Sequence, residues 1–85
     1  MKKENMKWMI VEIDGITSIV GELNLEQKQE IVGGYIEFVN TQYGDMIVNE
    51  EGLLHGLPVN DVASLLAGKQ IVGRVLMEVK EELEK

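Results

Sequence analysis

Five stretches of the chain carry the alternating or continuous apolar residues that predict β-strands, namely residues 7–13, 16–23, 35–40, 46–48 and 70–79. Asp14 and Gly15 separate the first two stretches. An Asp-Gly pair between apolar stretches is a strong hairpin signal, since the favoured two-residue turn needs positive φ at both central positions. We therefore expect a tight β-hairpin near the start of the chain.

Capping residues predict a short helix over residues 25–32. Asn24 and Gln27 have the spacing of a capping box, in which each side chain accepts a hydrogen bond from the other residue's backbone N–H. Gly33 follows the helix and is suited to the left-handed conformation that ends many helices. The helix therefore has both a predicted start and a predicted end.

A second helix is predicted over residues 61–66, with Asn60 as its N-cap and Gly68 as its stop. Before it, residues 49–52 have the composition of a turn, for which Gly52 is expected to supply a positive φ. The region between the fourth strand and the second helix is therefore expected to be irregular.

This order of elements predicts an α+β fold with a mostly antiparallel sheet of four to five strands and two short helices. Without the second strand of the hairpin, the order is that of a ferredoxin-like split βαβ sandwich; a small curled barrel is the alternative. The length predicts a single domain over residues 1–85, with flexible ends at 1–6 and 80–85.

The charge balance narrows the class of partner. Fifteen acidic residues against eight basic ones give a formal charge of -7, which repels phosphate groups and makes direct binding to DNA or RNA unexpected. An acidic surface suits a basic protein partner, although many small domains carry such a charge for solubility alone. Apolar residues 8–11 are too few for a signal peptide or a membrane span, so no membrane contact is expected.

Nothing in the residue pattern predicts an enzyme, a metal site or a cofactor. The chain has no cysteine, which removes thiolate ligands and nucleophiles and leaves the cytoplasm as the default location. His55 is the only histidine, and no hydroxyl residue lies in a nucleophile elbow. Glu50 and Glu51 lack the ligand spacing of a calcium loop. Gly33 and Gly34 follow a helix C-terminus, where the helix dipole disfavours a phosphate group.

Six residues remain as candidates for a binding site because turns, caps and core positions do not account for them: Tyr35, Glu37, Asn49, Glu50, Glu51 and His55. Tyr35 is expected on the strand face opposite Ile36 and Phe38, where it can contact a partner, whereas Phe38 is expected in the core. The charge of His55 can change near neutral pH and so alter binding.

Several separated motifs resemble one family. They are Val32-Gly-Gly-Tyr-Ile-Glu37, Asn49-Glu-Glu-Gly52, Gly56-Leu-Pro-Val-Asn60 and Ile71-Val-Gly73. Together they are similar to the domain of unknown function numbered 3846, found mainly in phages, plasmids and other mobile elements of bacteria. The resemblance implies this genetic context and no catalytic residues. Family members often carry a basic residue before the Gly-Leu-Pro element, where this chain has His55.

These observations favour a noncatalytic phage or mobile-element accessory protein that binds and modulates a host protein, with host defence as the expected target. The alternative is an oligomeric small-ligand binder that sequesters a nucleotide-like signal. Its pocket would lie between protomers of a homo-oligomer and recruit Tyr35, Asn49, Asn60 and Arg74. Such a pocket needs basic residues, for which Lys69 and Arg74 are the candidates.

Overall fold

The α+β class is confirmed by the computed structural model, which describes residues 7–80. Its strands are β1 (Lys7–Val11), β2 (Thr17–Val20), β3 (Ile36–Thr41), β4 (Gly44–Asn49) and β5 (Val75–Val79), and its helices are α1 (Leu25–Val32) and α2 (Asp61–Ala67). None of the helices in these 74 residues is long and apolar enough to cross a membrane. The ends predicted to be flexible lie outside the described residues, apart from Lys80.

All five strands form one open sheet with the order β2-β1-β5-β4-β3, and each neighbouring pair is antiparallel. Because the sheet is open, the curled barrel is not formed. The ferredoxin-like arrangement is not formed either. In that arrangement, with β2 left out, β1 and β3 would flank α1, but here they run in opposite directions with two strands between them. A split βαβ unit needs those two strands to be parallel.

One helix packs on each face of the sheet, so the molecule has three layers. Alternate residues of β1 point to opposite faces. Trp8 and Ile10 belong to the apolar cluster that includes Val32 of α1, whereas Met9 and Val11 belong to the cluster that includes Ala63 of α2. Both faces of the central strands are therefore buried, and the two layers of core are separated by the sheet.

The helix α1 begins and ends at the predicted residues. The capping box is formed: Gln27 N donates to Asn24 Oδ1 at 2.8 Å, and Asn24 N donates to Gln27 Oε1 at 2.9 Å. Gly33 ends the helix with φ at 87°. Similarly, Asn60 caps α2, which extends one residue beyond the predicted end before Gly68.

Substituting Asn24 with alanine is expected to lower the free energy of unfolding by about 1 kcal/mol, because the N-cap acceptor of an exposed helix end is lost. Urea denaturation followed by circular dichroism measures the change. Glu30→Ala, at an exposed position of the same helix, is the control and should change stability by less than about 0.5 kcal/mol. Equal losses in the two variants would contradict the capping role.

The hairpin between β1 and β2 forms, but its turn differs from the predicted one. Gly15 N donates to the carbonyl oxygen of Glu12 at 3.0 Å, and Glu12 N donates to that of Ile16 at 2.9 Å, so that residues 13–15 form the loop. Gly15 has φ of 92°, and no other type of residue among the described ones has a positive φ. Asp14 instead accepts a hydrogen bond from Ile16 N. The longer loop ends β1 at Val11, two residues early.

Two glycines have roles other than those predicted. Gly52 was expected to need a positive φ, which is wrong; instead, a Cβ atom added there would lie 2.8 Å from Cγ2 of Val72. Gly73, within the predicted strand 70–79, has φ of 80° and interrupts it, so that β5 begins only at Val75. Both glycines are buried where the segment after β4 packs against residues 71–73.

The burial of the aromatic residues also differs from the prediction. Phe38, expected in the core, is 56% exposed because β3 is an edge strand that α1 covers only in part. Trp8, in contrast, is buried beneath α1, and the ammonium group of Lys28 lies 5.1 Å from the centroid of its ring. The prediction of Phe38 as a core residue is therefore wrong.

Candidate functional site

A cleft of about 460 Å³ opens on the α2 side of the sheet. Val39 of β3, Val48 of β4 and Ile71 line it, and all three belong to the apolar cluster beneath α2. The cleft lies where these two strands meet the turn after β4 and the link between α2 and β5. Its floor is therefore part of the core and its walls are loops.

The lining combines apolar and charged residues. Its members are Glu37, Val39, Val48, Asn49, Glu50, Glu51, Gly52, Leu53, Leu54, Lys69, Gln70, Ile71 and Val72. Three of these residues carry an exposed carboxylate, whereas Lys69 supplies the single ammonium group of the lining. The cleft is therefore apolar at its base and net negative at its rim.

Four of the six predicted site residues line this cleft, namely Glu37, Asn49, Glu50 and Glu51. Glu37 reaches it because it lies two residues before Val39 on β3, and alternate residues of a strand share a face. Glu50 and Glu51 follow the end of β4 directly. The fold thus brings together carboxylates from two separate segments of the chain.

The side chain of Asn49 is buried and holds the rim in place. Its Nδ2 donates to the carbonyl oxygen of Val32, the last residue of α1, at 3.1 Å. Its Oδ1 accepts from Glu51 N at 2.8 Å. A Cβ atom added to Gly34 would lie 3.1 Å from Nδ2 of Asn49, so a glycine there allows this close approach. Asn49 therefore fixes the backbone that carries the two glutamates.

His55 and Glu51 form a pair one turn apart in the segment after β4. Nε2 of His55 lies 3.6 Å from Oε1 of Glu51, and His55 N donates to the carbonyl oxygen of Glu51 at 3.0 Å. Both side chains are about half exposed. His55 does not line the cleft but contacts a residue that does. The pair therefore links His55 to the rim of the cleft.

Tyr35 lies outside the cleft lining, and its side chain is two-thirds exposed. Its carbonyl oxygen accepts a hydrogen bond from Glu50 N at 2.8 Å, which joins the start of β3 to the rim. The backbone of Tyr35 therefore positions Glu50, while its phenol ring faces solvent.

The sequence reasoning missed the apolar part of the site. Leu53 and Leu54 are 76% and 82% exposed, although leucine is among the residues most often buried. Both lie in the irregular segment between Gly52 and Gly56, where neither a strand nor a helix period explains a pair of leucines. This absence of a strand or helix period was the sequence signal that could have identified the two leucines as site residues.

Across residues 7–80, no three His, Cys, Asp or Glu side chains are grouped so as to hold a metal ion. The paired Glu51 and His55 supply two such groups. The chemistry that these residues offer is charge attraction to a basic group and burial of an apolar one.

Comparison with known proteins identifies a family. No curated protein matches the chain, and no solved structure does. The family described as a domain of unknown function, DUF3846, matches residues 6–82. This range includes the whole sheet, both helices and every residue of the cleft. The chain therefore belongs to the DUF3846 family.

Proposed function

We propose that this protein is a noncatalytic accessory protein of the phage or mobile-element type, which binds and modulates a host protein in the cytoplasm. A component of host defence is the target class that we favour. The observation that carries the proposal is the cleft, in which an apolar floor lies beside the carboxylates of Glu37, Glu50 and Glu51. Such a surface binds a protein segment by burying an apolar group and pairing a basic one.

The cleft fits a segment that carries an apolar side chain next to lysine or arginine. The apolar side chain would enter between Leu54 and the floor formed by Val39 and Val48. The basic side chain would meet the exposed carboxylates at the rim and form charge-assisted hydrogen bonds with them. The volume of about 460 Å³ is within the range of sites that hold a few groups rather than an entire protein face.

The nucleotide-sequestering alternative has less support. A phosphate group in the cleft would face three carboxylates and only one ammonium group, that of Lys69. Arg74 is engaged elsewhere, since its Nε donates to Oε1 of Glu12 at 2.9 Å. Asn60 is fully buried as a helix cap. Of the four residues assigned to that pocket, only Asn49 lines the cleft.

The apolar contact can be tested with two leucines of nearly equal exposure. Leu54 is 82% exposed in the cleft lining, and Leu65 is 83% exposed on α2 outside it. We expect display selection from host-proteome peptides to enrich segments with an apolar residue beside a basic one. Leu54→Ser should weaken their binding at least about tenfold, because an apolar side chain loses its burial partner. Leu65→Ser should leave the dissociation constant unchanged.

The contribution of charge to peptide binding can be tested with two matched double variants. The double variant Glu50→Gln/Glu51→Gln should weaken peptide binding about 2- to 30-fold in low salt, given the usual strength of exposed ion pairs. Glu26→Gln/Glu30→Gln removes the same charge from exposed positions of α1 and should have no effect. Fluorescence anisotropy measures both. Selected peptides without basic residues, or equal binding by both double variants, would contradict the proposal; a rise in Tm with cyclic nucleotides would favour sequestration.

A further inference from the structure

We propose that the free edge of β2 is the surface through which two copies of this chain pair, extending the sheet across a twofold axis. Within residues 7–80, the strand β2 is the first of the sheet and hydrogen-bonds to β1 alone. This edge lies at the opposite end of the sheet from β3, which borders the cleft. The pairing is therefore independent of the proposed partner site.

The backbone of β2 offers donors and acceptors to a further strand. Glu12 N donates to the carbonyl oxygen of Ile16, and hydrogen-bonded pairs alternate along an antiparallel ladder. Ser18 lies opposite Ile10, two residues along the ladder from the Glu12–Ile16 pair, so it also belongs to a hydrogen-bonded pair. The backbone groups of Ser18 therefore face β1. Those of Thr17 and Ile19 face outward. An unpaired row of this kind is a template for another strand.

This edge is short, but it lacks two other features that usually prevent pairing. Residues 15–21 contain no charged residue and no proline, which are common protections of an exposed edge. Ile16 and Ile19 are 61% and 60% exposed. The other edge strand, β3, carries the charged Glu37, and the side chain of its Asn40 is bound to Asp45 at 3.0 Å.

A second copy is the occupant that this surface fits. Each chain carries a formal charge of -7, so two copies repel one another wherever charged segments meet. Like charges placed directly opposite one another destabilise a strand pair. An antiparallel pairing centred on Ile19 sets this residue opposite its own copy and aligns only uncharged residues of β2. Both Ile19 side chains would then lie on the α2 face, where Met9 also lies.

The dimer is expected to be weak and to depend on salt in an unusual direction. A four-residue strand covers less area than the interfaces of stable dimers. The net charges of the two copies oppose association, so added salt should strengthen the dimer by screening them. Salt should weaken the proposed binding of a basic segment in the cleft. The two interactions are therefore distinguishable in a single titration.

Sedimentation equilibrium of the full chain, from dilute samples to those used for NMR, tests the proposal. We expect a monomer–dimer equilibrium that Ile19→Lys abolishes. Phe38→Lys is the matched control, because it makes the same change in charge at a 56% exposed position of the opposite edge, and it should keep the wild-type dissociation constant. Thr17→Pro should also abolish the dimer, since it removes an outward N–H without touching the ladder to β1.

Circular dichroism of each variant first confirms that it folds. A monomer at every concentration and salt level would overturn the proposal. So would a dimer that Phe38→Lys weakens as much as Ile19→Lys, or one that none of the three substitutions affects.

Discussion

Replacing Asn60 with alanine is expected to cause the largest loss of stability of any substitution considered for this protein. The side chain of Asn60 is fully buried and makes three hydrogen bonds. Its Nδ2 donates to the carbonyl oxygens of Val11 at 3.0 Å and Gly73 at 2.8 Å, and its Oδ1 accepts from Ala63 N at 3.0 Å. One residue thus connects β1, the segment before β5 and the start of α2.

Alanine at this position would leave two buried carbonyl groups and one N–H group without their partner. We expect a loss of about 3 kcal/mol or more, given about 1–3 kcal/mol for each unsatisfied buried group. An 85-residue domain has a total stability of about 4 to 13 kcal/mol, so the variant should be partly unfolded or melt at a much lower temperature. Urea and thermal denaturation followed by circular dichroism measure the change.

The control is Asn24→Ala, which removes the N-cap of the other helix. Asn24 is exposed, and within residues 7–80 its side chain makes only the local capping bond, so its loss should cost about one third as much. Asn60→Asp separates the two roles of Asn60, because it keeps the acceptor for Ala63 N but replaces the donor to two carbonyls. It should be at least as damaging as alanine. Equal effects of Asn24→Ala and Asn60→Ala would show that Asn60 acts as a cap alone.

Replacing Gly73 with alanine is expected to have the second largest effect. Gly73 has φ of 80°, where an L-residue costs about 1–2 kcal/mol. Its added Cβ would also lie 2.8 Å from Cδ1 of Leu57, which adds about 1–3 kcal/mol of overpacking. The contact joins the segment after β4 to the link between α2 and β5. Residues of both segments line the cleft, so peptide binding should weaken together with stability.

Gly68→Ala isolates the backbone contribution. Gly68 has a similar φ of 73°, but an added Cβ would meet no atom within 4 Å. The loss of stability in Gly68→Ala should therefore be limited to the conformational cost of a positive φ. In the double variant Gly73→Ala/Leu57→Ala, the steric part should disappear, so that the two losses in free energy are not additive. If Gly68→Ala and Gly73→Ala lower the free energy of unfolding equally, the contact with Leu57 adds nothing to the loss in Gly73→Ala.

Local signals predicted the helices well, because the determinants lie within a few residues of one another. Asn24, Gln27 and Gly33 define α1 by hydrogen bonds and dihedral angles that depend only on neighbouring backbone. The same holds for Gly68 at the end of α2. The order of the strands in the sheet depends instead on contacts between distant segments, so the chain order alone suggested a ferredoxin-like arrangement that does not form.

The errors along the strands have a similar origin. Apolar alternation continues through Gly73, and only the folded chain shows that this glycine has a positive φ and lies against Leu57. Phe38 has the pattern of a buried strand residue, but β3 lies at the sheet edge and is covered in part. Burial of a strand face depends on what packs over it, which a single strand does not encode.

The acidic residues of the candidate site were predicted from the sequence, whereas its apolar residues were not. Glu50 and Glu51 were identifiable because no turn or cap role explained both. The floor residues Val39 and Val48 were assigned to strands, and nothing local indicated that one side of them remains open to a cleft. A cleft arises only when separate segments fail to close over the core, and that property belongs to the assembled fold.

The placement of β2 and β3 at opposite ends of the sheet determines how many targets an assembly would engage. A dimer joined through β2 would carry its two clefts at the far ends of one continuous ten-stranded sheet. Such a particle is bivalent, so a host complex that displays the recognised segment twice would be held by both ends at once. Its apparent affinity would then rise by effective concentration rather than by any new contact. A monomeric target protein would gain no affinity from the second cleft. The dimer would therefore be selective for host proteins that are oligomeric.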